Sequence, residues 1–271
     1  MAVQDHEAAA RIKSWLTPGP RLREVAAGLL DAVMPPVTLD QAGRSGAAGL
    51  AAPGLSLEGW RSLTFLEEPV CDGCGAPFEF APLDPADRCL GCQARPHRFA
   101  RARAACLYDE GSRDLILPFK HADRLELAPL FARWLNRAAA PLIETCDAIA
   151  PVPLHRLRLL SRRANQAAEI ARPLARMAGR AYLPDALVRA RATKTQGGRG
   201  ASGRRRNVSG AFAVPDSRRA QVEGKRILLI DDVLTTGATA DACARALLDA
   251  GASAVDLAVV ARVDRGRDVT R

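Results

Sequence analysis

RILLIDDVLTTGATAD, residues 226–241, is the stretch that decides the fold. Ile227, Leu228, Leu229 and Ile230 form an unbroken apolar run, the pattern of a parallel strand covered on both faces. Asp231 and Asp232 follow at once, which puts two carboxylates at the carboxyl end of the predicted strand, where open α/β sheets bind their ligands. Thr235, Thr236, Gly237, Ala238 and Thr239 then supply a turn of small and hydroxyl-bearing residues, and 240–250 reads as a helix. Such a turn feeds a helix N-terminus, whose unpaired N–H groups and dipole favour a phosphate. Adjacent carboxylates repel an anion while the turn attracts one. A ligand with hydroxyls at one end and a phosphate at the other satisfies both, and ribose 5-phosphate groups have that form.

Outward from this run, 104–108, 147–153, 211–214 and 255–261 read as strands. Residues 125–140 and 166–177 read as helices, the second with Ile170, Leu174 and Met177 on one face. Strands alternating with helices predict an α/β domain with a parallel sheet flanked by helices. Ahead of it, 22–34 (LREVAAGLLDAVM) has helical spacing and ends at Pro35-Pro36, while 38–57 is rich in Gly, Ala, Pro and Ser and reads as a linker.

Between linker and sheet lie Cys71-Asp72-Gly73-Cys74 and Cys89-Leu90-Gly91-Cys92, two C-x-x-C knuckles fourteen residues apart. Four thiolates at this spacing close a tetrahedral Zn²⁺ site and leave no open position, so the expected role is structural, with one ion bound. A redox reading needs a single knuckle beside a thioredoxin-like βαβ pattern, whereas here two stand in Gly/Pro-rich sequence. Cys106, Cys146 and Cys243 lie in apolar surroundings and read as buried free thiols.

The chain has 271 residues, 48% hydrophobic and 25% charged, which excludes the disordered and the membrane classes. Its first residues, MAVQDHEAAARIKSW, lack the apolar core of a signal peptide, and no apolar run is long enough to span a bilayer. The expectation is a cytoplasmic protein without membrane partners, in which seven cysteines serve as metal ligands or buried thiols. The net charge of +9 is uneven: residues 151–219 hold sixteen Lys and Arg against Glu169, Asp185 and Asp216. An anionic partner is therefore expected. Within that segment 189–207, RARATKTQGGRGASGRRRN, has no apolar period and reads either as a lid over an anion or as a solvated basic loop.

The run 227–239 resembles, at every position, the thirteen-residue phosphoribosyl-pyrophosphate (PRPP) signature of type I phosphoribosyltransferases. The likeness widens to the ComF family, competence-associated relatives of these transferases. It is carried by Pro151-Val152-Pro153-Leu154-His155-Arg156, by Asn165-Gln166-Ala167, by Arg191-Ala192-Thr193-Lys194-Thr195-Gln196-Gly197, and by 204–212; the cysteine module and Phe119-Lys120 extend it. The chain departs from the family where an earlier pair of knuckles often stands, since Thr38, Gln41, Ser56 and Gly59 are not thiols, and Arg162-Arg163-Ala164 replaces the usual Arg-Gly-Phe.

The resemblance implies three parts: residues 1–66 as helix and linker, 67–97 as a small zinc-ribbon-like module, and 98–271 as the phosphoribosyltransferase-like domain. It implies that Asp231 and Asp232 accept from the ribose hydroxyls, that Thr235 to Thr239 cradle the 5-phosphate, and that Mg²⁺ arrives with PRPP. His155 and Arg156 are then expected to hold the pyrophosphate, with Arg191, Lys194 and Arg199 closing over it. Phosphoribosyl transfer is the expected activity; no recognisable hood for a particular base marks the acceptor, and free ammonia and a nucleobase both stay open. A glutaminase using an N-terminal nucleophile would need a leading cysteine, and the sequence begins Met1-Ala2-Val3. The alternative is a non-catalytic competence factor that binds single-stranded DNA without sequence preference and uses the PRPP site for binding or regulation. The family likeness also suggests a helicase of the DNA-uptake machinery as partner.

Overall fold

The computed structural model describes residues 38–40, 54–78, 88–121, 124–154, 164–189 and 210–264. The chain forms two compact units, 1–56 and 57–271. In the first, Asp40 receives the backbone N–H of Ser56 at 2.8 Å, and Leu39 N–H donates to Gly54 O at 2.9 Å. The helix expected over 22–34 lies outside the described residues.

The second unit is built on a parallel five-stranded sheet, β1 (Ala102–Leu107), β2 (Ala148–Pro151), β3 (Ala181–Tyr182), β6 (Arg226–Leu234) and β7 (Ala254–Arg262), in the order β1-β7-β6-β2-β3. The short strands β4 (Val188–Arg189) and β5 (Phe212–Ala213) pair separately. Ile227 through Ile230 are fully buried, as the apolar run requires of a central strand. Side chains of alternate residues meet different layers. Ile227, Leu229, Leu257 and Val259 join one core with Cys243, Ala244 and Leu247 of the helix Ala238–Asp249. Helices Ala128–Ala138 and Gln166–Ala178 pack on each other and on β1, β2 and β6.

Among described helices these are, in chain order, α1 (Leu57–Arg61), α2 (Leu90–Ala94), α3 (Glu110–His121), α4 (Ala128–Ala138), α5 (Ala140–Thr145), α6 (Gln166–Ala178), α7 (Arg219–Val222) and α8 (Ala238–Asp249). The predicted helix over 125–140 is divided: a 3₁₀ turn at Leu125–Leu127 precedes α4, and Pro141 opens α5. α6 matches its expectation, with Asn165 as N-cap and Gly179 closing it in the left-handed region. Ile170 and Leu174 are fully buried, but Met177, next to the end of α6, is exposed.

The edge at β1 is covered by 64–66, where Leu66 N–H reaches Ala105 O and Leu107 N–H reaches Thr64 O. Just before this segment, the Ser62 backbone sits so close to Gly111 that a Cβ there would stand 2.0 Å from Ser62 O. At the amino ends of the strands, fully buried Asp256 takes Arg101 and Arg226, each at 2.8 Å, and Asp147 receives Arg226 N–H at 2.7 Å. This ionic floor ties β1, β2, β6 and β7 together at the end opposite the acid pair.

Strand order fixes where a ligand can bind. From β2 the chain moves outward to β3, and from β6 it moves the other way to β7. The change of direction falls between β2 and β6, and the crevice at their carboxyl ends is where such sheets take ligands.

Candidate functional site

Both walls of that crevice come from residues singled out in the sequence. β6 does not stop at Ile230 but pairs with β7 as far as Leu234, because β7 stays apolar and buried through Ala261 and offers a continuous partner. Asp231 and Asp232 therefore project from a held strand instead of a loose end, and both are half-buried. Asp232 N–H donates to Asp231 Oδ1 at 2.9 Å. On the β2 side, Val152 N–H continues the ladder to Ile230 O, and Asn165 donates from Nδ2 to Val152 O. Pro153 and Leu154 follow, half-buried. His155, Arg156, Arg191, Lys194 and Arg199 lie outside the described residues.

Lys120, in the last turn of α3, brings its Nζ to 3.0 Å from Asp232 Oδ1, with about a fifth of each side chain exposed (20% and 19%). Asp109 and Ser112 cap the start of this helix reciprocally, and buried Gln166 donates to Lys120 O at 3.5 Å near its end. Burial, and then the charge of Asp232, push the Asp231 carboxyl up to about 7, against the Asp232 N–H and the Lys120 ammonium. The pair thus rests as one carboxylate held by an ammonium beside a second that takes its proton easily. Ligand hydroxyls or a cation can replace both the proton and the lysine.

Past Leu234 the chain makes the turn the sequence predicted. Gly237 is the N-cap of α8 in the left-handed region (φ 76°), Thr236 Oγ1 lies 3.4 Å from Ala238 N, and Thr235 is exposed. Ala238 is buried and Thr239 half-buried in the first turn of a twelve-residue helix, so backbone donors and hydroxyls converge at its positive end.

One residue of this region, His97, carried no sequence signal. The His97 ring lies against Gly237, where a Cβ would come 2.6 Å from His97 Cε1. Its Nδ1 is 3.1 Å from Asp241 Oδ2, and Arg98 N–H donates to Asp241 Oδ1 at 2.8 Å. Lys120 had only the family likeness to mark it; its partner stands on another element.

The four sulfurs of Cys71, Cys74, Cys89 and Cys92 lie within 4.8 Å of one another, with Cys74 and Cys89 at 3.7 Å. A tetrahedral centre with Zn–S near ~2.3 Å needs sulfurs about 3.8 Å apart, so the set fits. Cys71 is the natural thiolate, its pKa lowered to about 4 chiefly by the Cys74 hydrogen bond, and Cys89 N–H approaches it at 3.2 Å. Burial pushes Cys92 up to about 12, so a dication is what would ionise the full set. Buried Arg262, paired with Leu234 at the end of β6, points Nη1 at Cys74 Sγ from 3.7 Å. Cys106, Cys146 and Cys243 are buried free thiols, as expected.

Between this centre and α8 opens a cavity of about 1210 Å³. Phe78, Leu90 and Phe212 give it apolar wall, and Arg88, Arg95, Arg98 and Arg245 give it charge. No described helix is long and apolar enough to cross a membrane.

A family model described as the phosphoribosyl transferase domain matches residues 123–271. The chain is 31% identical to the DNA utilization protein YhgH of Escherichia coli over 199 residues, 72% of this chain and 84% of that protein. It is 32% identical to the Salmonella typhimurium protein of the same name over 193 residues, 69% and 82%. With competence protein F of Haemophilus influenzae it shares 29% over 199 residues, 72% and 85%. Among solved structures it is similar to a glutamine PRPP amidotransferase from B. subtilis complexed with ADP and GMP, at 23% identity and a TM-score of 0.33. That match covers 51% of this chain and 26% of the amidotransferase, so the chain spans about a quarter of that protein.

Proposed function

The chain belongs to the phosphoribosyl transferase domain family, in its ComF branch, and on that premise we propose that it binds PRPP with Mg²⁺ at Asp231–Thr239 and transfers its phosphoribosyl group. The observation that carries this reading is the continuity of one strand, one acid pair and one helix start at the β2–β6 switch point. Asp231 and Asp232 accept from the 2- and 3-hydroxyls and offset positive charge developing on the ring. Thr235, Thr236, Gly237, Ala238 and Thr239 hold the 5-phosphate through N–H groups and hydroxyls. On the family likeness, His155, Arg156, Arg191, Lys194 and Arg199 form the pyrophosphate wall. Mg²⁺, entering as part of the substrate, takes most of its ligands from PRPP and water. What remains for the protein is positioning and electrostatic stabilisation of an oxocarbenium-like sugar, with ammonia or a nucleobase as acceptor.

In this reading 67–97 is a zinc module serving the transferase-like domain 98–271 of a cytoplasmic, competence-associated protein. The test is thermal stabilisation by PRPP with Mg²⁺ against ribose 5-phosphate and pyrophosphate alone. PRPP with Mg²⁺ gives the largest shift, and Asp232→Ala abolishes it. Equal shifts for all ligands would remove the PRPP reading. An acceptor screen on folded protein with no pyrophosphate release would remove transfer while leaving binding.

A second reading, single-stranded DNA binding without catalysis, is favoured by the arginine-rimmed cavity beside the cysteine centre. Fluorescence anisotropy with labelled oligonucleotides then gives an affinity that falls with salt by about 0.7 per phosphate neutralised on a log–log scale. Absent or salt-insensitive binding would reject it, and competition by PRPP would place both ligands on one surface.

A further inference from the structure

We propose that His97 is the positioning residue of the phosphate turn and that it transmits the metal state of the four-cysteine centre to that turn. The name "phosphate turn" rests on the function proposed above; the mechanical link does not.

Residues 95–100 are a short strap with two anchors. One is α2, which carries Cys92, follows Cys89 directly and ends with Arg95 N–H on Gly91 O at 3.0 Å. The other is the sheet: Phe99 is 1% exposed within the core of the α8 face, and Ala100 N–H donates to Val255 O at 2.7 Å. Arg88 Nη2 closes the strap to Ala100 O at 3.1 Å. A helix of five residues has no stability of its own, so α2 depends on the knuckle formed by Cys89 and Cys92.

Between the anchors His97 does three things. Its ring stacks on Phe99, with centroids 4.4 Å apart and planes 12° apart, which fixes its height. The same ring presses on Gly237 at the one point of the turn where no side chain fits. Its Nδ1 and the Arg98 N–H together occupy the Asp241 carboxylate. Asp241 stands in the first turn of α8, where a free carboxylate would compete with a phosphate for the same positive helix end. His97 therefore sets the shape of the turn and occupies its internal competitor by hydrogen bonding. Emptying the cysteine centre releases one anchor and lets the strap lift from both.

The experiment is hydrogen–deuterium exchange on the full chain without PRPP, metal-loaded and after chelation, for wild type, His97→Ala and Asp241→Asn. In wild type, chelation speeds exchange at 235–241 by about tenfold while 227–230 stay protected, since local opening is separable from global unfolding. Both variants exchange fast at 235–241 with metal present, and chelation adds little. His97→Asn, whose short amide can still donate to Asp241, recovers part of the protection. Unchanged exchange at 235–241, equal acceleration by chelation in wild type and both variants, or loss of protection through the whole sheet would each overturn the link. Because no substrate is present, a failure here is distinct from a failure of PRPP binding.

Discussion

Asp231 holds its proton up to about pH 7 in the folded chain, whereas the same group ordinarily releases it near 3.8. The folded state binds more protons across that window, so stability falls as pH rises from about 4 to about 7, and the penalty is full above it. Asp231→Asn should remove this slope and raise stability at pH 8 by on the order of 1–2 kcal/mol, discounted because water reaches the site. Denaturant melts at pH 5 and 8 read it directly; parallel slopes in the two proteins would contradict the assignment. Lys120→Met takes away the ammonium that opposes this shift, so the midpoint of the pH-dependent loss should move to higher pH in the same series. Legibility at this scale followed locality. Asp231, Asp232 and the turn 235–239 were readable because they form one contiguous run. His97 was not, since Asp241 lies 144 residues away.

Among the elements, β6 and α8 were legible because apolar runs and small-residue turns write themselves locally. β6 was read too short because its last pairs depend on β7. Helix α3 was not recognised at all: Pro118 stands inside it, and what fixes it is the Asp109–Ser112 cap and the contact at Gly111. That contact gives a test in which two effects oppose. Helix propensity alone favours Ala over Gly by about 1 kcal/mol. The added Cβ, however, would stand 2.0 Å from the Ser62 carbonyl oxygen, and backbone cannot move aside cheaply. Gly111→Ala should therefore destabilise by about 3 kcal/mol, the overpacking cost exceeding the propensity gain. A raised denaturation midpoint would show that the segment at Ser62 yields.

Over the whole molecule, the parallel sheet was readable from alternating strands and helices, but the strand order, and with it the switch point, emerged only from pairing. Nor did the sequence mark the ionic floor, because Arg101, Arg226 and Asp256 stand far apart in the chain. Asp256→Asn leaves two arginines without their shared carboxylate and should cost about 3 kcal/mol, visible in a urea melt, while ligand affinity per folded molecule stays unchanged. The two ends of the sheet thus carry opposite signs. Changes at the floor lower stability and spare the site; changes at the acid pair can raise stability and spoil it. A library selected for heat tolerance alone would accumulate substitutions at Asp231 and leave Asp256 untouched, drifting toward a sturdier and emptier scaffold.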